Sequence, residues 1–185
     1  MMKITNRIPK EFVIAAGAGQ TGFGPGNDPF ETGSYDQALV DAGIENFNIV
    51  KYTSVIPPEA YEISMEDAVS RGLTHHGMVL ECIMARQDGI QGEHVCAGVG
   101  RASVWDDNGE LIGGFATEYE GHGSTTFAAR ELKTALHGIF ERRNYEDKGY
   151  SMGDMHFVTK DLVIDESFGT VLVAVGFMTF TLIVL

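Results

Sequence analysis

The chain has 185 residues, 44% of them hydrophobic, enough to bury one sizeable core and read as a single domain over 1–185. Its 26 acidic against 13 basic residues give a formal net charge of −13, which argues against nucleic acid and anionic membrane as partners. Two cysteines, Cys82 and Cys96, are too few for a disulfide framework and form no CxxC, so buried free thiols in a reducing compartment are expected. The opening "MMKITNRIPK" is basic but lacks an apolar segment, so no secretory signal is read and a cytoplasmic protein is expected.

In chain order, "EFVIAAG" (11–17) predicts a first strand and "AGQTGFGPGNDPFETG" (18–33) a Gly/Pro-rich loop. "SYDQALVDAGI" (34–44) predicts a short helix with Ser34 as N-cap and Gly43 near its end. "NFNIVKYTSVI" (46–56) predicts one strand, stopped at Pro57-Pro58, which lack amide donors. "GMVLECIMARQ" (77–87) and "HVCAGVGRASVWDD" (94–107) predict successive strands, and Asn108-Gly109 marks a hairpin turn before "LIGGFATEYE" (111–120). "STTFAARELKTALHGIFERRN" (124–144) is the strongest helix, with Phe127, Ala128, Leu132, Ala135, Leu136, Ile139 and Phe140 on one stripe. Arg142 and Arg143 suit its negative end. "MHFVTKDLVI" (155–164) predicts a further strand. The uncharged tail "FGTVLVAVGFMTFTLIVL" (168–185) is about long enough for a bilayer helix, but it is rich in β-branched residues and lacks a basic flank. A buried strand broken at Gly176 is expected instead. Strands with one or two covering helices give an α+β layered sandwich, mostly antiparallel.

Two motifs invite function and are set aside, and a third is missing. Gly17-Ala18-Gly19-Gln20-Thr21-Gly22 matches GxGxxG, but a dinucleotide site needs a helix to open there, and "FGPGNDP" cannot continue one. His75, His76, Glu81, Cys82, His94 and Cys96 are metal-binding residue types, yet their spacing matches no established zinc pattern. No GxSxG is present, so a nucleophile-elbow hydrolase is not supported.

Thr53-Ser54 interrupts an apolar, β-branched stretch where Val or Ile would pack better. A serine hydroxyl can attack the carbonyl of the residue before it, turning the Thr53–Ser54 peptide bond into an ester. β-Elimination then frees Thr53 as a carboxylate and leaves dehydroalanine at position 54. Adding one water releases ammonia and leaves a pyruvoyl group. Thr53 as nucleophile would give a 2-ketobutyryl group instead. Such a site needs a sharp backbone and oxyanion donors. The dipeptide alone is a weak signal.

Its context is stronger. "SYDQALVDAGIENFNIVKYTSVIPPEA" (34–60) resembles the core signature of the pyruvoyl-dependent arginine decarboxylases: Asp-x-Ala-Leu, Ala-Gly-Ile, Asn-x-Asn, a Ser/Thr-Ser cleavage pair, then Pro-Pro-Glu-Ala. "EYEG" (118–121), between an apolar strand and an amphipathic helix, is similar to a second block. The pair is Thr-Ser here and Ser-Ser in other members, which leaves Ser54 in charge.

The resemblance implies a four-layer αββα sandwich of mostly antiparallel sheets, self-cleaved into 1–53 and 54–185. It implies a covalent pyruvoyl group derived from Ser54, with no pyridoxal phosphate and no metal. It implies decarboxylation of L-arginine to agmatine and CO₂, with Glu118 as proton donor and Asn48 assisting processing and orientation. Asp36 would pair with the guanidinium, and Leu39 and Phe47 would line the substrate channel. Taken singly, Asp36 also reads as a solvated acid, Asn48 as an edge residue and Glu118 as a surface strand residue. Taken in order around Thr53-Ser54, they read as a site.

Asn48 and Ser54 share parity on one expected strand, but six residues of strand span about 20 Å. Either the strand bends sharply or Asn48 serves a neighbouring subunit. The resemblance favours the second, with sites between subunits of a trimer or dimer of trimers. Two alternatives stay open. One is a pyruvoyl decarboxylase for another amino acid such as histidine, against which the Asp36 carboxylate argues. The other is an uncleaved, non-catalytic homologue acting as a binding subunit. Decarboxylation consumes a proton, so acid resistance and polyamine supply are both compatible roles.

Overall fold

The computed structural model describes residues 5–23 and 31–184. Its elements in chain order are β1 (Thr5–Pro9), β2 (Glu11–Thr21), α1 (Glu31–Asp41), β3 (Asn48–Lys51), β4 (Val55–Ile56), β5 (Tyr61–Glu62) and α2 (Met65–Ser70). There follow β6 (Val79–Ile90), β7 (His94–Trp105), β8 (Leu111–His122), α3 (Thr125–Arg142), β9 (Ser151–Val163), β10 (Phe168–Phe177) and β11 (Phe180–Val184). The strands form a five-stranded sheet in the order β3-β6-β10-β2-β5, a four-stranded sheet in the order β4-β8-β7-β9, and a β1-β11 ribbon. Most pairings are antiparallel; β2–β5 and β3–β6 are parallel. The expectation of a mixed fold with mostly antiparallel sheets is met.

Strand alternation divides the apolar residues. Phe12, Ile83, Val173 and Val175 of the five-stranded sheet pack with Val95, Ala97, Val99 and Ala116 of the four-stranded sheet. The opposite residues of the five-stranded sheet, Val13, Ala15, Cys82 and Leu172, pack with Ala38 of α1, Ala42 just after it and Ala68 of α2. On the four-stranded sheet, Ala102, Val104 and Phe115 receive Leu136 of α3. Burying a side chain such as Leu132 or Leu136, both fully enclosed, stabilises by roughly 1.5–3 kcal/mol.

α3 follows its predicted stripe. Ser124 caps it through a bond from Phe127 N–H, and Ala128, Leu132 and Leu136 are buried. Phe127 is 40% exposed and meets Tyr119 edge-on instead of entering the core.

Four expectations are corrected. The glycine motif is not a loop: β2 continues to Thr21, and α1 begins at Glu31. A Cβ at Gly17 would strike Ala38 O, and one at Gly19 would strike Ser34 O, so these glycines let α1 lie close on β2. The part of the expected loop at 24–30 lies outside the described residues. Ser34 is not a cap. It is buried inside α1, its hydroxyl bonded to Glu31 O at 3.0 Å and Thr170 Oγ1 at 2.7 Å. The expected strand over 46–56 is two strands in different sheets, described below. The break in the apolar tail falls at Met178–Thr179, two residues beyond Gly176, where Met178 N–H turns to Glu11 O at 2.7 Å. None of the described helices is long and apolar enough to cross a membrane.

The segment after Ser54 is tied down by one buried acid. Glu11 is 7% exposed. It accepts hydrogen bonds from Arg71 Nη1 and Nη2 at 3.0 and 2.8 Å, from Tyr61 OH at 2.7 Å and from Thr179 Oγ1 at 2.8 Å. The Arg71 hydrogen bonds lead in holding its carboxyl at about 2 instead of 4.5. A depressed carboxylate stabilises the fold above its unfolded value and loses that contribution as pH falls through its folded value. Arg71→Met is therefore expected to lower the melting temperature at pH 7. The deficit should shrink between about 4.5 and about 2, as Glu11 is neutralised in both proteins. Thermal melts across that range check it.

Candidate active site

Thr53 and Ser54 lie where the chain changes sheets. β3 runs parallel to β6, from Asn48 opposite Val79 to Lys51 opposite Cys82. The last bond of this run is Tyr52 N–H to Cys82 O, at 2.7 Å. β4 then pairs with β8, Val55 opposite Phe115 and Ile56 opposite Gly114. Ala116 N–H donates to Ser54 O at 2.8 Å. Between these runs the chain bends at Ser54, with Thr53 exposed and Ser54 half-buried.

This is why one strand over 46–56 does not form. Its bonding partners up to Tyr52 and from Ser54 onward belong to different sheets, and no straight strand serves both. Asn48 and Ser54 therefore share no strand, and parity no longer relates them. The sharp bend is present, but Asn48 itself stays at the far end of β3, bonded to Gly77 O.

Glu118 is two residues beyond Ala116 on β8. Ala116 faces the five-stranded sheet and Phe115 faces α3, so alternation puts Glu118 and Glu120 on Ala116's side. Glu118 is open to solvent in the single chain. Enough protein surrounds it for desolvation to be the leading influence, and this raises its carboxyl above the usual range. The Glu120 charge raises it further and the Lys51 charge opposes. Lys51 Nζ lies 3.6 Å from Glu120 Oε1, which also accepts Arg86 N–H at 3.0 Å.

The other expected site residues stand elsewhere. Asn48 is exposed at the far end of β3, where its Nδ2 donates to Gly77 O at 3.0 Å. Asp36 is exposed on α1. Leu39 and Phe47 pack into the cluster between α1 and the five-stranded sheet, on the face turned away from β8. The fold thus places Glu118 two residues along β8 from the bond to Ser54 and leaves Asp36, Leu39 and Phe47 on another side of the chain. Glu120 is exposed, as a surface residue would be, and nothing in the sequence singled out Lys51. Two acids two apart on a strand share a face, which is how Glu120 comes to stand beside Glu118.

Among the described residues, no group of three or more His, Cys, Asp or Glu is placed to hold a metal ion. His94 bonds Asp161 at 2.9 Å. Cys82 and Cys96 are buried and free, and burial pushes both thiols up to about 11.

Residues 11–182 match the model of a family described as pyruvoyl-dependent arginine decarboxylase. Pyruvoyl-dependent arginine decarboxylase AaxB of Chlamydia pneumoniae is 37% identical over 191 residues, covering 97% of this chain and 95% of that one. The AaxB protein of Chlamydia trachomatis serovar L2 is 34% identical over 192 residues, with the same coverage. Pyruvoyl-dependent arginine decarboxylase 2 of Archaeoglobus fulgidus is 32% identical over 115 residues, 62% of this chain and 66% of that one.

Proposed function

Because the chain belongs to the pyruvoyl-dependent arginine decarboxylase family, we propose that it cuts itself between Thr53 and Ser54 and then converts L-arginine to agmatine and CO₂. The observation that carries the reading is the crossing between sheets at Thr53-Ser54, beside an acid whose carboxyl is raised. Family membership implies a covalent pyruvoyl group; Ser54 as its source is our assignment. The local structure fits that origin. Residue 54 is half-buried at a bend, the bond before it belongs to neither sheet, and its own carbonyl is held by Ala116 N–H.

The pyruvoyl group supplies the electron sink for the departing carboxylate, so we assign no role to pyridoxal phosphate or a metal. Ala116 N–H, on the carbonyl that adjoins this sink, favours electron withdrawal and fixes its direction. Glu118 holds a proton for the carbon that loses CO₂. Its raised carboxyl keeps that proton to higher pH than an ordinary glutamate would, and the protonated fraction falls as pH rises through the folded value. Asn48 assists processing and orientation; in the single chain its Nδ2 is held on Gly77 O. Asp36 accepts the substrate guanidinium, and Leu39 and Phe47 line its path.

In one chain, Asp36 and Leu39 lie on the side away from Glu118. We therefore infer sites completed between subunits of a trimer or dimer of trimers. We also read the architecture as four αββα layers, with α1 and α2 outside one sheet and α3 outside the other. After cleavage, 1–53 and 54–185 stay together, because β2 of the first piece lies between β10 and β5 of the second. Two buried thiols suit a reducing compartment, and we infer a cytoplasmic enzyme.

The test is agmatine formation from L-arginine, with L-histidine as the competing substrate. Arginine turnover with histidine at background supports the reading; histidine turnover without agmatine sinks the arginine assignment. Asp36→Asn should lower kcat/KM for arginine about 10- to 100-fold, the value of one charge-assisted hydrogen bond.

A further inference from the structure

β6 carries a carboxylate into the core between the sheets. Glu81 is 5% exposed and shares its strand face with the core residues Ile83 and Ala85. Two groups meet it. Tyr52 OH donates to Glu81 Oε2 at 2.7 Å, and Arg7 of β1 pairs with Oε1. Tyr52 also packs on Phe177 with ring centroids 5.8 Å apart, and its N–H is bonded to Cys82 O at 2.7 Å. The Arg7 guanidinium lies 4.8 Å from the centre of the Phe180 ring. The residue just before Thr53-Ser54 is thus held by its backbone, its ring and its hydroxyl.

Stability alone does not call for this arrangement. A buried ion pair replaced by well-packed apolar residues of similar volume is often neutral or stabilising. The two hydrogen bonds on Glu81 do something an apolar residue would not: they fix Tyr52 in one orientation. Burial first, and then the bond to Glu81, raise the Tyr52 phenol, so it remains a donor through neutral pH.

We propose that Glu81 is a positioning residue for self-cleavage. Its carboxylate clamps the Tyr52 hydroxyl and so sets where the Thr53 carbonyl meets the Ser54 hydroxyl, while Arg7 holds the carboxylate from the N-terminal strand. The inference rests on the self-cleavage reading above. Glu81 and Tyr52 form no bond to the reacting atoms; they act through the backbone between Tyr52 and Ser54. Attack requires reacting atoms about 3–3.5 Å apart, and a misplacement of about 1 Å costs roughly 100-fold.

The experiment is a time course of cleavage of the full chain after cell-free synthesis, read on denaturing gels. Tyr52→Phe keeps the ring on Phe177 and removes only the hydroxyl; cleavage should slow at least about tenfold. Glu81→Leu should slow it equally, and Glu81→Gln, which keeps an acceptor oxygen, should recover most of the rate. Tyr52→Phe combined with Glu81→Leu should be little slower than either alone, since both remove one interaction. The same substitutions on a Ser54→Ala background, which has no attacking hydroxyl, give melting temperatures as the control for folding. A cut wild-type chain with Tyr52→Phe cleaved equally fast overturns the clamp alone. Rates that simply track melting temperature across the set overturn it in favour of a structural pair. A wild-type chain that stays whole overturns the cleavage reading and the clamp with it.

Discussion

Ser54→Ala leaves the chain whole and without decarboxylase activity. The hydroxyl is the nucleophile for the acyl shift, and alanine has none, so no ester forms and nothing is eliminated. Without the pyruvoyl group there is no electron sink. The cofactor carries the chemistry of this decarboxylation, and enzymic accelerations run to about a millionfold or more, so turnover of arginine should drop below detection. The fold should survive. Ser54 contributes a backbone carbonyl to Ala116 N–H, and alanine keeps it. A denaturing gel, a thermal melt and an agmatine assay on one preparation separate these effects. Agmatine production by an uncut Ser54→Ala protein would contradict the assignment of Ser54.

Glu118→Gln should divide the two chemistries. The chain is expected to cut itself, because Glu118 is two residues along β8 from the bond that holds Ser54 in place. Decarboxylation should fall about 10²- to 10⁴-fold, the range for a general acid. The pH profile is the more specific readout. Desolvation raises the Glu118 carboxyl, so wild-type kcat should decline as pH rises through that raised value and recover below it. Glutamine has no proton to lose there, and the decline should disappear from the residual activity. An unchanged profile in Glu118→Gln would move the acid elsewhere; Glu120 on the same strand face is then the next carboxyl to replace.

Much of this fold is visible in local pattern. The α3 stripe, the Ser124 cap and the hairpin glycine at 109 report on their own neighbourhoods, and each is where the pattern puts it. Thr53-Ser54 stood out as two hydroxyls in an apolar stretch, and the resemblance of the surrounding 34–60 segment gave the pair its proposed role. What escaped depends on partners far along the chain. Alternation tells which way a residue points, not which strand it pairs with, so a run bonded first to β6 and then to β8 looked continuous. Gly17 and Gly19 resembled a loop because glycine is read as a turn residue, whereas here it admits a helix backbone. Ser34 has the residue type of a cap, and only the position of Thr170 shows that it is a buried partner. Glu81 stood out only as one of several metal-binding residue types. Its meaning comes from Tyr52 and from Arg7, 74 residues away.

The most direct measurement of the central claim is intact mass under denaturing conditions. The account predicts two chains, Met1–Thr53 and residues 54–185, the second lighter than its serine form by one ammonia and carrying an N-terminal pyruvoyl. A single chain of 185 residues that stays uncut, or a second chain that begins with intact serine, would contradict it.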